Sequence, residues 1–263
     1  LPEETPPEIP APEQVPEPAG TETGTAAGTA SRQEPGLKKI MVLVDDVGNN
    51  VFQLDPYLAF PGDLTFAVLP GLPFTRAAAE RIREHGVDIL LHQPMESVNG
   101  NNMGPGGLYS AATGDEIDRI LEKNLADLPD AVGINNHMGS AVTADRTIME
   151  RVLRFAQKQS LFFIDSLTSE NSVVGEVSAE LGVPYVKRQI FLDNQCSEDY
   201  IREAVQSGLA LAEDRGFVIM IGHVQCGALA DYLTAHYKEI VEKGFIFTSI
   251  TDFILDAYDN SRN

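Results

Sequence analysis

Three of the five histidines directly follow short apolar runs that are typical of buried β-strands. VDILL precedes His92, AVGIN and one asparagine precede His137, and FVIMI and one glycine precede His223. In a fold of parallel strands, catalytic groups come from the loops at the carboxyl ends of several strands. One such histidine would be an ordinary hydrogen-bonding residue, but three of them favour a shared site. His85 and His236 fall near predicted helix ends, and we expect them to be solvated.

Two adjacent aspartates, Asp45 and Asp46, follow another apolar run, IMVLV. Neighbouring carboxylates at the mouth of a buried strand repel each other and are costly to desolvate. Their presence is explained if one binds a cation while the other acts on protons. The structural alternative is a turn or a helix cap, because aspartate close to glycine is common in turns.

An aspartate with two histidines is a standard ligand set for a catalytic zinc ion, with one position left for water. Zinc lowers the pKa of that water towards 7, a nearby carboxylate can accept its proton, and a histidine can protonate the leaving group. This chemistry suits the hydrolysis of an amide or an ester. The sequence lacks the G-x-S-x-G, P-loop and G-x-G-x-x-G motifs, so serine hydrolase, NTPase and dinucleotide-binding functions have no support.

Further polar residues follow the next predicted strands. Asp165 and Ser166 end the fifth strand, and Arg188 and Asp193 follow the sixth. An arginine near the aspartate pair could hold one of its carboxylates ionised. The alternative for Arg188 and Asp193 is a structural ion pair.

The elements that position these residues alternate along the chain. Predicted strands cover residues 40–44, 64–68, 87–91, 131–135, 161–164, 184–186, 217–221 and 245–248, and predicted helices cover 74–85, 115–128, 144–159, 173–181, 198–214 and 228–243. Strand–helix alternation produces right-handed βαβ units and a parallel sheet. A β/α barrel-like fold is favoured over an open doubly wound sheet, because polar residues recur at nearly all the strand ends. The glycine- and asparagine-rich loop 97–114 is either a lid or binding loop or a floppy insertion.

Residues 1–37 differ in composition from the rest of the chain. They hold eight of the sixteen prolines and seven glutamates, and we expect a disordered linker or tail there, followed by one globular domain at 38–263. The formal charge of −20 argues against a nucleic-acid partner and is compatible with a neutral glycan. No apolar run is long enough to span a membrane. Because the chain starts at Leu1, we expect a processed form or a fragment that has lost an upstream signal or anchor.

The two cysteines, Cys196 and Cys226, each fall just after a predicted strand, and those strands are consecutive. In an oxidising compartment they could form a disulfide. The alternative is two unpaired thiols, and the geometry has to decide between them.

Seven motifs in order carry a family resemblance: DDVGNN, LTFAVLPG, LLHQPME, NNHMGS, FFIDSLTS, KRQIFLDN and IMIGHV. Together they resemble the divergent polysaccharide deacetylases, distant relatives of the chitin and peptidoglycan deacetylases, over residues 39–251. The resemblance implies a distorted β/α barrel of seven to eight strands and a divalent metal, with Zn²⁺ as the expected ion. It also implies a glycan substrate and a periplasmic or secreted location.

The resemblance assigns roles to three residues. In the related enzymes the first aspartate of the Asp-Asp motif is the base and the second is a metal ligand, which implies Asp45 as base and Asp46 as ligand. A histidine after a late strand serves there as the acid, and His223 matches it in position.

The remaining metal ligands depart from the pattern of the related enzymes. Those enzymes have two histidines four residues apart, whereas here His92 is followed four residues later by Glu96. The second histidine ligand is then His137 from the next strand, or Glu96 serves as a ligand.

Two functions remain after this comparison. One is metal-dependent deacetylation of an N- or O-acetylated polysaccharide, which the Asp pair and His223 favour. The other is a catalytically inactive glycan-binding module on the same barrel, which the missing second histidine at position 96 favours.

Overall fold

The computed structural model describes residues 37–254, and the predicted linker at 1–37 lies outside them except for Leu37. Within this range the strands are β1 (Lys38–Val47), β2 (Thr65–Val68), β3 (Asp88–Met95), β4 (Gly133–Met138), β5 (Phe162–Asp165), β6 (Tyr185–Lys187), β7 (Ile190–Phe191), β8 (Phe217–His223) and β9 (Phe245–Phe247). The helices are α1 (Asp55–Leu58), α2 (Thr75–Glu84), α3 (Gly114–Leu125), α4 (Arg146–Lys158), α5 (Val174–Leu181), α6 (Glu198–Arg215) and α7 (Gly227–Glu242), and a 3₁₀ turn at Phe52–Leu54 precedes α1.

The paired strands described here are all parallel, in the order β6-β5-β4-β3-β2-β1-β8-β7, with β9 paired to β1. β6 and β7 lie at opposite edges of this order, yet only Arg188 and Gln189 separate them in the chain. The backbone of Arg188 donates to Asp165 of β5, and that of Gln189 donates to Ile219 of β8. The chain itself therefore joins the two edges, and the predicted barrel is confirmed over the open doubly wound alternative.

Each long strand is buried on both faces because it lies between two cores. In β1, Ile40, Val42 and Val44 pack into the larger core, which lies between sheet and helices. Met41 and Leu43 pack into a smaller core with alternate residues from the other strands and Ile250 and Ile254. This alternation follows from the two-residue period of a strand, and it identifies the smaller core as the barrel interior.

The helix ends follow the side chains that cap them. Thr113 and Glu116 form a capping box at the start of α3, and the Ser197 side chain caps α6. The predicted start of α4 after Thr143 is wrong. Its cap is Asp145, whose carboxylate accepts two backbone N–H groups, while the Thr143 hydroxyl bonds back to Gly139.

The sequence patterns missed two short elements. β7 contains only two residues, and α1 with its preceding turn lies in a segment that shows no helical period. Within residues 37–254, no helix is both long and apolar enough to cross a membrane.

Candidate active site

Side-chain alternation along the strands carries polar residues from the barrel interior to its mouth. Met41 and Leu43 fill the interior from β1, and the next residue on that face is Asp45. In the same steps of two residues, His92 follows Leu90 on the interior face of β3, and His223 follows Ile219 and Ile221 on that of β8. On β4 the same count from Gly133 leads to Asn135 and then to His137. The carboxyl-terminal end of the barrel thus collects these groups because each strand places every second residue inward.

Asp46 breaks this alternation. Its φ of 64° lies in the left-handed region, which non-glycine residues seldom adopt. The pairing of β1 with β2 also shifts register here, because Val44 and Val47 are three residues apart while their partners Phe66 and Val68 are two apart. One extra residue in β1 makes a β-bulge, and such bulges re-aim side chains beside active sites. The bulge brings the second carboxylate to the same site as the first.

Asp46, His92 and His137 meet at one point. The Asp46 Oδ1 atom lies 2.9 Å from Nδ1 of His137 and 3.2 Å from Nε2 of His92, and the two histidine nitrogens are 3.2 Å apart. Donors bound to one zinc ion at about 2.0–2.2 Å in a tetrahedron lie roughly 3.4 Å apart. The donor types and their spacing therefore fit a single divalent cation. Across residues 37–254, this is the one cluster of three or more such groups suited to holding an ion.

Asn135 fixes the orientation of His92, and the sequence patterns did not single it out. Its amide nitrogen donates to Oδ1 of Asp45 at 2.9 Å, so its oxygen faces His92 Nδ1, also at 2.9 Å. Since this oxygen can only accept, Nδ1 carries a proton, and Nε2 is the ring nitrogen that faces Asp46 and His137 and would bind a cation there. A metal-binding histidine commonly has such a partner behind it. The signal in the sequence was the position of Asn135, two residues before His137 on the same strand face.

Asp45 is almost fully buried, and its Oδ2 lies 3.7 Å from His92 Nε2. Burial raises the pKa of Asp45, while the charges of His92 and His223 oppose that rise. For Asp46, burial also favours the neutral acid, but hydrogen bonds to His137 and His92 outweigh it and hold the pKa well below the usual range. The two adjacent carboxylates thus have different environments, which is the condition for different roles.

His223 is held by Asp193. One carboxylate oxygen of Asp193 lies 2.9 Å from His223 Nδ1, and the other accepts the backbone N–H of His223 at 2.7 Å. The ring also stacks on Phe191. Burial lowers the pKa of His223, but the hydrogen bond and charge of Asp193 outweigh that effect and raise the pKa to about 9. With Nδ1 engaged, Nε2 is the ring nitrogen that can face a substrate.

Arg188 does not form the ion pair with Asp193 that was one expectation from the sequence, because Asp193 is engaged by His223. Its guanidinium donates to the carbonyl oxygens of Ser166 and Leu167 and lies 3.7 Å over the ring of Phe191. Burial lowers the pKa of Arg188, and nearby carboxylates, first Asp165 and then Asp45, counter this. Arg188 therefore connects the β6–β7 link, to which it belongs, to the segment after β5 beside the site.

Glu96, Asp165 and Ser166 lie around the site without joining the ligand cluster. The Glu96 carboxylate accepts from the backbone N–H and the hydroxyl of Ser110, which anchors the 97–114 loop, so the structure does not bring Glu96 to the metal cluster. Asp165 is fully buried, accepts from Ser172 and the backbone of Leu167, and has a pKa raised by burial. The Ser166 hydroxyl lies 3.4 Å from the Asn135 amide nitrogen.

Cys196 and Cys226 form a disulfide, with Cα atoms 5.7 Å apart. This decides between the two alternatives left open by the sequence. The bridge joins the loop after β7, which contains Asp193, to the loop after β8, which begins next to His223.

A groove of about 220 Å³ opens beside the ligand cluster. Asp46 and His137 lie at one side of it, and its remaining wall comes from the loops after β1, β2 and β3, through Asn49, Leu69, Leu72, Asn102, Met103, Gly104 and Pro105. Residues 102–105 of the 97–114 loop therefore line a groove next to the cluster, and the binding-loop interpretation stays a prediction.

The family model described as "Divergent polysaccharide deacetylase" matches residues 42–254. The chain belongs to this family. An uncharacterized protein from Haemophilus influenzae is 34% identical over 194 residues, which is 73% of this chain and 69% of that protein. The uncharacterized protein YibQ from Escherichia coli K12 is also 34% identical, over 70% of this chain, and the match spans 58% of its own length.

Solved structures share the fold of this chain. An uncharacterized protein from Agrobacterium tumefaciens C58 superimposes with a TM-score of 0.79 at 19% identity, covering 84% of this chain and 91% of the other. The catalytic domain of a peptidoglycan N-acetylglucosamine deacetylase from Eubacterium rectale gives 0.51 at 15% identity, covering 84% and 92%. A CE4 family pseudoenzyme from Bacillus anthracis gives 0.53 at 12% identity, covering 84% and 66%.

Proposed function

We propose that this chain is a metal-dependent hydrolase that removes acetyl groups from an N- or O-acetylated polysaccharide. The carrying observation is the placement of Asp45 and His223 beside the Asp46–His92–His137 cluster. Asp45 and His223 are register partners in the pairing of β1 with β8, and Asp45 immediately precedes Asp46 of the cluster. Binding alone requires neither a buried carboxylate nor a charged histidine at these places.

Asp46, His92 and His137 would hold the cation, with Zn²⁺ favoured because the donors are one carboxylate and two imidazoles. When bound, the ion supplies a Lewis acid that polarises the scissile carbonyl and increases the acidity of water. A positive charge at the cluster also lowers the pKa of the adjacent Asp45, which opposes the effect of its burial.

Asp45 would act as the general base and accept a proton from the attacking water. Its Oδ1 is engaged by Asn135, so Oδ2 is the oxygen that faces the cluster. His223 would act as the general acid and donate the Nε2 proton to the leaving amine or alcohol. Asp193 keeps its ring protonated and fixed in orientation, because both carboxylate oxygens bind the same residue.

A glycan-binding module without turnover is the second candidate function. The observation in its favour is that position 96 holds a glutamate and not a histidine. Against it, His137 brings a second imidazole to within 3.2 Å of His92. We also propose a periplasmic or secreted location, supported by the disulfide, since such bonds persist in oxidising compartments.

The test is acetate release from acetylated chito-oligosaccharides and peptidoglycan fragments by zinc-loaded protein. The proposal expects release that a chelator abolishes and added zinc restores. Glycan binding in the same preparation without any release would instead support the binding module. Replacement of the exposed Asp214 by Asn serves as a matched carboxylate control, and its activity should equal that of the wild type.

A further inference from the structure

The Asp193–His223 pair is built from two loops that meet at the carboxyl end of the barrel. Asp193 follows β7 and His223 ends β8, and a cysteine stands three residues after each of them. Cys196 immediately precedes the cap of α6, and Cys226 immediately precedes α7. The disulfide therefore crosslinks the two segments that carry the acid and its partner.

The segment after Asp193 faces solvent, and its hydrogen bonds stay local: the Asn194 amide donates to the Tyr200 hydroxyl, and the Ser197 N–H donates to the Gln195 carbonyl. Asn194, Gln195 and Cys196 are exposed, whereas the Asp193 side chain is buried against His223. The bridge reaches from this exposed segment to Cys226, which is buried. It is thus the covalent tie between a solvent-facing loop and the interior at the position where the acid pair forms.

Tyr57 holds the backbone on the Cys226 side of the bridge. Its side chain is buried, and its hydroxyl lies 2.7 Å from the carbonyl oxygen of Cys226 and 3.0 Å from that of His223. The backbone N–H of Cys226 also donates to the His223 carbonyl at 3.0 Å. The turn from His223 to Cys226 is therefore closed on itself and anchored to α1, which the sequence patterns had missed.

We propose that the Cys196–Cys226 disulfide and Tyr57 are positioning elements that hold Asp193 against His223, so that the imidazole stays protonated and aligned as the acid. The role as acid rests on the proposed function, whereas the positioning of the pair does not. The groups that act on His223 electrostatically are Asp193, Asp45 and Asp46, and among them Asp193 alone contacts its ring. Removal of the disulfide should therefore change the contact between Asp193 and the His223 ring before other interactions of that ring.

The test replaces both cysteines by alanine and follows the His223 ring by NMR across pH in metal-free protein. With the bridge intact, we expect a pKa near 9, and without it a fall towards the ordinary value of 6.5. In turnover, kcat should fall at least about 10-fold with KM nearly unchanged, and the alkaline limit of the pH profile should move down with the histidine. Zinc affinity should stay within a few-fold, because the ligands lie on β1, β3 and β4 and the His223–Cys226 turn reaches them through one hydrogen bond, from the Gln225 amide to Asp46 Oδ2 at 3.1 Å.

Tyr57→Phe is the second variant, which keeps the disulfide and the ring but removes the hydroxyl. We expect the same direction of change in the His223 titration with a smaller amplitude. A titration unchanged in both variants would overturn the proposal and leave the bridge as a staple for stability only. If the His223 titration shifts in the variants although the wild-type protein releases no acetate, the positioning role is supported while the proposed function fails.

Discussion

Asp45 and Asp46 are neighbours in sequence, yet both side chains reach the same site, because a β-bulge with a left-handed Asp46 interrupts the alternation of β1. Asp45 remains in the strand and bonds to Asn135, while Asp46 turns towards the two histidines. A strand in regular register would send one carboxylate to each face. The proposed division between a base and a metal ligand thus follows from one extra backbone residue in β1.

Replacing Asp46 by Asn should weaken the cation site. The amide keeps the shape of the side chain but removes the negative charge that lies 2.9 and 3.2 Å from the two histidine nitrogens. We expect zinc affinity, measured by calorimetry, to fall by at least about 10-fold. The His137→Ala variant should lose zinc affinity to the same extent. Glu96→Gln should bind zinc like the wild type, and a comparable loss in that variant would return Glu96 to the ligand set.

Asn135→Leu should lower zinc affinity by about 10- to 100-fold although Asn135 cannot reach the ion itself. The change removes the acceptor that keeps the proton on Nδ1 of His92 and leaves Asp45 without its amide donor. Calorimetry with zinc measures the loss, and the fold should be checked by circular dichroism. An affinity equal to the wild type would show that the amide has no part in orienting His92.

Binding of zinc should stabilise the protein against heat. Ligand at about 100 times its dissociation constant stabilises a folded protein by about 2.7 kcal/mol. We expect Tm to rise on adding zinc and to return on adding a chelator, and His137→Ala should abolish the rise. His236→Ala, a histidine on α7 away from the cluster, is the matched control and should keep it. An equal rise in the His137 variant would mean that zinc binds elsewhere.

The alkaline limit of activity should follow His223. A general acid must carry its proton, so kcat/KM should decline as pH rises through the pKa of His223. Burial lowers this pKa, but Asp193, together with Asp45 and Asp46, raises it to about 9 in the metal-free protein. Asp193→Asn removes that charge, and the decline should move to lower pH, towards the ordinary value of 6.5. A pH–rate profile of the two proteins measures the shift. If both decline at the same pH, His223 is not the acid that limits the reaction.

The sequence predicted much of this site because strand alternation is a local property. The eight predicted strands are all present, and the residues that follow them on the interior face include Asp45, His92 and His223. The bulge at Asp46 could not be predicted, since it depends on the register with β2. Tyr57 was missed because its segment has no helical period, and Asn135 because its role depends on two partners distant in sequence.

Glu96 shows the limit of spacing arguments. Four residues after His92, it occupies the position where related enzymes have a histidine, but its carboxylate is engaged by Ser110. The second imidazole comes instead from His137, beside β3 in the sheet, where Pro94 is its register partner. Sheet neighbours can thus supply a ligand that a local motif lacks.

The most direct test compares acetate release by zinc-loaded wild-type and Asp45→Asn proteins on the same acetylated glycan. Asn at position 45 keeps the size of the side chain and leaves Asp46, His92 and His137 in place, so zinc binding should persist. Losing the base should lower kcat by at least about 10²-fold. Turnover of the variant equal to that of the wild type, with zinc bound in both, would contradict the role of Asp45 and with it the proposed mechanism.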